Sequence, residues 1–247
     1  MKSTISLTIL IPCLNEEKTL AVCVKKAKSY IKKSGLSAEV LVADNGSTDN
    51  SRLIAVENGA RVISVHKKGY GNALLAGIKH SKGKFIIMGD ADDSYSFLQL
   101  DGFINKLDEG YDLVMGNRFS GHIQKGSMPF LNRYIGNPFL SFVAKKLYKC
   151  PAGDFHCGLR GFDKKSILSL GLACGGMEFA SEMLIKARLK ELKITEIPIN
   201  FYCDGRNSKS HLRPFRDGLR HLEVINRYKK YSQRIKRIKA YDPKNNS

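Results

Sequence analysis

The strongest chemical signal in this sequence is three carboxylates within four residues, Asp90-Ala91-Asp92-Asp93. They follow Phe85-Ile86-Ile87-Met88, an apolar run that reads as a buried strand carried to its end. An unpaired buried carboxylate is costly, so such a cluster faces water, a cation or both. Oxygen ligation suits Mg²⁺ or Mn²⁺, which bridge one or two carboxylates and the phosphates of a substrate. Asp90 and Asp92 are therefore the candidate metal ligands. The competing reading is an acidic turn in which Asp93 or Ser94 caps the next helix. Gly69-Tyr70-Gly71 also follows an apolar run, but it is no dinucleotide fingerprint, because Leu74 stands where a third glycine belongs. No Gly-Lys-Ser/Thr phosphate loop occurs anywhere in the chain. The two glycines let the backbone approach a bound group, or simply turn the chain.

These residues need a frame, and the first half of the chain supplies one by alternation. Residues 5–11 read as a strand stopped by Pro12, and 16–33 as a helix with Leu20, Val24, Ala27 and Ile31 on one face. A strand at 39–43 leads into the turn Asp44-Asn45-Gly46-Ser47, after which Ser47 or Thr48 caps a helix through Val56. Strands at 61–65, 84–88 and 112–115 alternate with helices at 70–80 and 97–107. Such βαβ units imply a mainly parallel sheet flanked by helices, with ligands beyond the carboxyl ends of the strands. The residues to inspect are thus Pro12 to Glu16, Asp44 to Ser47, His66 to Asn72 and Gly89 to Asp93. Beyond 116 the sequence suggests a loop at 116–129, a short amphipathic helix at 137–147, a helix at 175–190 and a strand at 193–202. A polar loop at 203–214 and a basic helix at 215–240 complete it.

The 247 residues fit one large α/β domain, drawn here as 1–215, followed by a basic helix and tail at 216–247. With 43% hydrophobic and 26% charged residues the chain is not a disordered one. Lys and Arg number 41 against 23 Asp and Glu, a net charge of +18. A surplus of that size implies a polyanionic partner: nucleic acid, an anionic membrane surface or phosphorylated substrates. No nucleic-acid module is visible, and the Asp90 to Asp93 cluster would repel a nucleic-acid backbone, so no nucleic-acid partner is expected. The six cysteines form no Cys-x-x-Cys pair, which argues against zinc. No signal peptide is visible, so a cytoplasmic, reduced protein is expected. No apolar run approaches the ~20 residues that span a bilayer.

Four segments in order carry a resemblance. They are Ile11-Pro12-Cys13-Leu14-Asn15-Glu16, Val42-Ala43-Asp44-Asn45-Gly46-Ser47-Thr48-Asp49, Lys68-Gly69-Tyr70-Gly71-Asn72-Ala73 and Asp90-Ala91-Asp92. Together they resemble the family-2 glycosyltransferases of the GT-A fold, in particular the dolichol- and polyprenyl-phosphate mannose/glucose synthases. The resemblance implies that Pro12, Leu14, Asn15, Glu16 and Asp44 contact base and ribose, and that Gly71 and Asn72 support the nucleotide pocket. It makes Asp90 and Asp92 the Asp-x-Asp pair that holds Mg²⁺ or Mn²⁺ against the diphosphate of a UDP- or GDP-sugar. The branch often has Gln two residues after the pair, where this chain has Ser94, and Asp93 is the candidate to substitute as a third ligand. Arg118 and Arg133 match the acceptor-side arginines, Asp154 to Phe162 the Asp-x-x-x-Gly-x-Arg segment, and Gly205 to Ser210 the basic phosphate loop. Met177 to Glu182 resembles the helix that closes the acceptor end.

A hydroxyl acceptor needs a general base, whereas a phosphate acceptor arrives anionic and needs cations to place it. Arg118, Arg133, Arg206, Lys209 and Arg213 offer those cations, arginine through two-pronged contacts to phosphate oxygens. This favours a polyprenyl phosphate attacking the anomeric carbon in one displacement, with inversion implied by the family. A saccharide or protein hydroxyl is the alternative acceptor, with Asp154 or Glu182 as base; Asp154 otherwise orients Arg160. His66 and His156 read as structural. Met128 to Leu131 and Pro138 to Val143 are apolar and adjoin Lys145, Lys146 and Lys149, a pattern suited to an anionic bilayer surface or to packing on the sheet. Many members of the branch carry C-terminal transmembrane helices, where this chain has a basic tail. An anionic membrane surface, or a membrane-protein partner, would then give access to a lipid acceptor. The expected location is peripheral to the cytoplasmic face of a membrane.

Overall fold

Strand β1 (Leu7–Cys13) is buried along its whole length. Leu7, Ile9, Ile11 and Cys13 enter one core cluster and Leu10 the opposite one, so both faces of the strand are covered. A computed structural model describes residues 5–206 and 214–240 of the chain. The remaining strands are β2 (Ala38–Asp44), β3 (Arg61–Ser64), β4 (Phe85–Met88), β5 (Leu113–Asn117), β6 (Arg160–Asp163) and β7 (Ile194–Pro198). They form one sheet in the order β3-β2-β1-β4-β6-β5-β7, parallel except for β6, which runs antiparallel to β4 and β5. The mainly parallel α/β sheet expected from the alternation is present.

Pro12 does not stop β1. In a parallel strand alternate residues bond to opposite neighbours, and Leu10 O accepts from Gly89 N on the β4 side. Pro12 faces that same side, but β4 pairs only as far as Leu10, so the missing N–H has no partner to lose.

Helices α1 (Leu20–Ser34), α2 (Ser51–Glu57), α3 (Tyr70–His80) and α4 (Asp101–Asp108) alternate with the early strands. A π-helical turn, Asn132–Gly136, leads into α5 (Asn137–Tyr148), and α6 (Lys164–Ser169), α7 (Phe179–Leu189) and α8 (Pro214–Ala240) follow. The first half of α8 packs on the domain: Val224 and Ile225 join the same core cluster as Phe179, Met183 and Leu184 of α7. The strand β6 and helix α6 escape the sequence reading. Arg-Gly-Phe-Asp has no apolar alternation, yet Arg160 lies fully buried, its guanidinium donating to the carbonyls of Phe155, Cys157 and Ala180. The segment is β through its antiparallel pairing with β4 and β5, and the three carbonyls accept the buried charge.

Candidate active site

The site begins with a loop the sequence reads as helix. Helix α1 starts at Leu20 instead of residue 16, which leaves Asn15 to Thr19 free to turn over the end of the sheet. Cross-braces from the loop after β2 hold them there. Asn15, in the left-handed region at φ 55°, donates its N–H to Ser47 Oγ at 2.9 Å and accepts the Thr48 N–H on Oδ1 at 2.8 Å. The Glu16 N–H reaches Ser51 Oγ at 2.8 Å, and the Glu17 N–H reaches Asp49 Oδ2 at 3.1 Å. Ser47 and Thr48 therefore brace a neighbouring loop and do not cap α2, whose N-cap, Asn50, makes no side-chain capping bond. Asp44 is buried and accepts the N–H groups of Gly46 and Ser47. Asn45, which the motif reading left without a role, ties the loop after β2 to residues 65–69. Its amide donates to Val65 O and Lys67 O, and its Oδ1 accepts the Gly69 N–H at 2.6 Å.

Asp90 and Asp92 stand where β4 ends. Asp90 Oδ1 accepts the Tyr70 hydroxyl at 2.9 Å, and its other oxygen lies where a Cβ on Gly158 would sit. Asp92 is buried; its Oδ1 accepts both the N–H (3.0 Å) and the hydroxyl (2.6 Å) of Ser94. Its Oδ2 pairs with Arg206 Nη2, and Arg206 Nη1 reaches Glu16 Oε1 at 2.8 Å. Burial, and then the charge of Asp92, push the Asp90 carboxyl up to about 6. Burial likewise pushes Glu16 up to about 7, outweighing the nearby Arg206. Carboxylates crowded at a half-buried corner, with a guanidinium already drawn onto them, fit a divalent cation. Among the described residues no group of three His, Cys, Asp or Glu side chains is placed to hold a metal ion. The chain thus offers Asp90 and Asp92, and further ligands would come from substrate oxygens and water.

The expectation that Asp93 supplies a third ligand does not match its placement. Its backbone is left-handed (φ 63°), and its carboxylate is held by Lys26 of α1 at 2.7 and 2.9 Å. Nor does this turn cap a helix, because α4 begins only at Asp101.

Arg118 and Asp154 form a second unit. Arg118 Nε meets Asp154 Oδ2 at 2.7 Å and Nη2 meets Oδ1 at 2.8 Å, with Asp154 fully buried. Asp154 thus orients Arg118, whereas Arg160, its expected partner, is held by carbonyls. Arg118 and Arg133 line one cavity of about 360 Å³, together with Phe119, Ile123, Tyr134 and Pro138. The two acceptor-side arginines of the sequence reading are brought together. The two units are linked through aromatic rings: Phe201 lies 5.2 Å from the Arg118 guanidinium carbon and 5.2 Å from Tyr95, and Gly158 sits against both Tyr95 and Asp90. His156 stacks edge-on against His221 of α8, ring centroids 4.5 Å apart. Burial, then His221 and Arg118, keep its imidazole far below the usual histidine range, so it is neutral.

Glu182, offered by the sequence as a base, has four donors. Its Oε2 accepts the N–H groups of Ala173 (2.9 Å) and Cys174 (2.7 Å), and its Oε1 meets Lys186 Nζ and the Tyr228 hydroxyl, each at 2.9 Å. It anchors the 173–176 loop beneath the start of α3. There Gly175 O accepts the Asn72 N–H at 3.1 Å, and a Cβ on Gly71 would run into the Cys174 carbonyl. Gly71 and Asn72 are thus set by close approach to a second backbone segment. Of the remaining cations the sequence proposes, Lys209 and Arg213 lie outside the described residues.

Beside the arginine cavity the surface is apolar. Phe130, Leu131, Tyr134, Ile135, Phe139 and Phe142 are all exposed, Phe130 at 70% and Phe142 at 62%. Lys145 and Lys146 are exposed alongside, while Ser141, Ala144 and Tyr148 on the other face of α5 are buried and Val143 packs against the core. No helix among the described residues is long and apolar enough to cross a membrane, and all six cysteines are free.

Comparison with known proteins agrees with this geometry. Residues 8–171 match the family model described as glycosyl transferase family 2. The low-salt glycan biosynthesis hexosyltransferase Agl6 of Haloferax volcanii is 39% identical over 221 residues, 89% of this chain but only 53% of that protein. This chain therefore spans about half the length of that relative. Glycosyltransferase AglJ of the same organism is 32% identical over 90% of this chain and 71% of its own. Among solved structures, glucosyl-3-phosphoglycerate synthase from Mycobacterium tuberculosis superposes with a TM-score of 0.70 at 19% identity, covering 89% of this chain and 78% of that one. The same enzyme with Mn²⁺, uridine-diphosphate and glucosyl-3-phosphoglycerate gives 0.67 at 21% identity. At that identity the likeness shows the shared fold, the Rossmann-like GT-A architecture.

Proposed function

The chain belongs to glycosyl transferase family 2, and from that premise we propose that it moves a hexosyl group from a UDP- or GDP-sugar to a polyprenyl phosphate at a membrane surface. The observation that carries this reading is the arginine cavity beside the Asp90–Asp92 corner. It gathers cations, and the carboxylates the sequence offers as bases are engaged: both Asp154 oxygens by Arg118, both Glu182 oxygens by four donors. A hydroxyl acceptor would need one of them free. An acceptor phosphate needs only placing, and Arg118, fixed by Asp154 and facing the cavity with Arg133, can place it.

In the proposed step an acceptor phosphate oxygen bonds to the anomeric carbon as the bond from that carbon to the donor's β-phosphate oxygen breaks. The electron pair leaves on the nucleoside diphosphate, no proton has to be removed, and the displacement inverts the carbon. Mg²⁺ or Mn²⁺ held by Asp90 and Asp92 would supply charge stabilisation for the leaving diphosphate. Asp44, Asn15 and Glu16 frame the donor end, with Pro12, Leu14, Gly71 and Asn72 shaping it. The solved neighbour whose crystals hold phosphoglyceric acid suggests a second acceptor, a soluble hydroxyl compound that carries a phosphate. The exposed Phe130, Phe139 and Phe142 beside the cavity favour the lipid.

The deciding experiment incubates the protein and Mn²⁺ with a panel of UDP- and GDP-sugars against three acceptors: a polyprenyl phosphate, 3-phosphoglycerate and a free saccharide. Metal-dependent transfer to the polyprenyl phosphate supports the proposal. Transfer only to a hydroxyl, that of 3-phosphoglycerate or of the saccharide, would remove both the lipid and the phosphate as nucleophile.

A further inference from the structure

Arg206 reaches two carboxylates that stand at the ends of adjacent strands, Glu16 after β1 and Asp92 after β4. Of the two Asp92 oxygens, Oδ1 is engaged by both donors of Ser94. Oδ2 is the one open to a cation, and the guanidinium holds it. A divalent ion on Asp90 and Asp92 would need that same oxygen, and two cations cannot share it without strong repulsion.

The segment carrying Arg206 is itself tied to the site. The Gly205 N–H donates to Asp92 O and the Tyr202 N–H to Ser94 O, both at 2.9 Å. Phe201 bonds His122 and Gln124 along the rim of the arginine cavity, and its ring lies 5.2 Å from the Arg118 guanidinium carbon. Residues 201–206 thus connect the cavity to the carboxylate corner, held by backbone bonds at Phe201, Tyr202 and Gly205.

We propose that Arg206 is a built-in counter-cation that exchanges partners: a divalent ion displaces it from Asp92, and it then pairs with the diphosphate of the donor. In the structure its single positive charge bridges two crowded carboxylates. Were an ion to take over that role, the freed guanidinium would have five donors to offer phosphate oxygens. Donor and ion then bind cooperatively, because the ion both bridges the phosphates and frees the arginine. This inference rests on the reading of Asp90 and Asp92 as the metal pair.

The exchange predicts opposite signs for one substitution. Mn²⁺ binding to the full chain is followed by the electron-paramagnetic-resonance signal of the free ion, and UDP and GDP binding by calorimetry in saturating Mn²⁺. Arg206→Ala should tighten Mn²⁺ alone by roughly tenfold, the scale of coupling within one charge network, and weaken the nucleotide by a similar factor. Arg206→Gln is made in parallel in case the alanine variant folds poorly, and Arg206→Lys should fall between them and the parent. Mn²⁺ and nucleotide affinities that move in the same direction, or an unchanged Mn²⁺ affinity, would overturn the exchange. If Asp90→Ala with Asp92→Ala leaves Mn²⁺ affinity at the parent value, the metal pair itself is wrong, a failure separate from that of Arg206.

Discussion

Arg118 and Asp154 meet through two parallel hydrogen bonds of 2.7 and 2.8 Å, and the Arg118 backbone N–H adds a third at 3.2 Å. The carboxylate is wholly buried, while the guanidinium reaches the cavity it shares with Arg133. Removing one member of a buried pair leaves the other charge uncompensated, which costs about 3–5 kcal/mol. Asp154→Ala should therefore lower Tm on the order of 10 °C. Asp154→Glu, which keeps the charge, should fold better and lose activity through displacement of Arg118. A scan showing Asp154→Ala as stable as the parent would mean that Arg118 finds another partner and is not fixed by this one.

Asp93 and Asp92 are neighbours with opposite fates. Asp93 is a quarter exposed and pairs with Lys26, an arrangement worth about 0.5 kcal/mol at such a position. Asp93→Asn also suits the left-handed backbone there, which asparagine tolerates. We expect Asp93→Asn to keep Mn²⁺ affinity and turnover within about twofold of the parent, in line with a surface substitution. Asp92→Asn should cost turnover on the order of 100-fold, the scale of losing a positioned electrostatic group. Equal losses from the two variants would put Asp93 back among the metal ligands.

Glu182 gives the fold a pH dependence. Burial alone would raise its carboxyl, but hydrogen bonds from the Cys174 N–H, Lys186 and the Ala173 N–H outweigh burial and hold it below the usual range. Its folded value is thus lower than the ~4.3 of an unfolded glutamate. Stability from the charged form is then complete above that value and lost as pH falls through the folded one. Glu182→Gln should melt lower than the parent at pH 7, and the gap should close in the acid range below about pH 4. A constant gap across that range would show that packing, and not charge, is what the residue contributes.

The alternation of strands and helices made the sheet and the positions of the site legible, because the ends of β1, β2 and β4 carry the polar residues such a fold needs. What the sequence concealed depends on long-range partners. Residues 16–19 have helical composition, but bonds to Ser47, Thr48, Asp49 and Ser51 hold the loop open. The sequence offers Arg160 as a partner for Asp154, whereas the carbonyls of Phe155, Cys157 and Ala180 are what satisfy its buried guanidinium. Asp93 and Asp92 look equivalent in sequence, and a backbone turned to φ 63° separates them. Tyr70, the hydroxyl on Asp90, was visible only as a residue between two glycines.

The apolar surface beside the cavity makes a claim of its own. Phe130, Leu131, Tyr134 and Ile135, then Phe139 and Phe142, recur every three or four residues along the π-helical turn and α5, and Lys146 lies 5.9 Å from the Phe142 ring. Burying a phenylalanine in an apolar medium contributes about 1.5–3 kcal/mol, and a basic residue near an anionic leaflet about 1 kcal/mol. The protein should therefore float with vesicles containing phosphatidylglycerol, bind neutral vesicles more weakly, and lose part of its binding in high salt as the charges are screened. Phe139→Glu with Phe142→Glu should leave Tm nearly unchanged, since both side chains are exposed, and cut vesicle binding at least ~tenfold through the lost burial. Turnover should fall with an acceptor embedded in vesicles and persist with a short-chain acceptor in solution. Flotation unaffected by the double substitution would assign the patch to another partner and leave the basic α8 as the membrane contact.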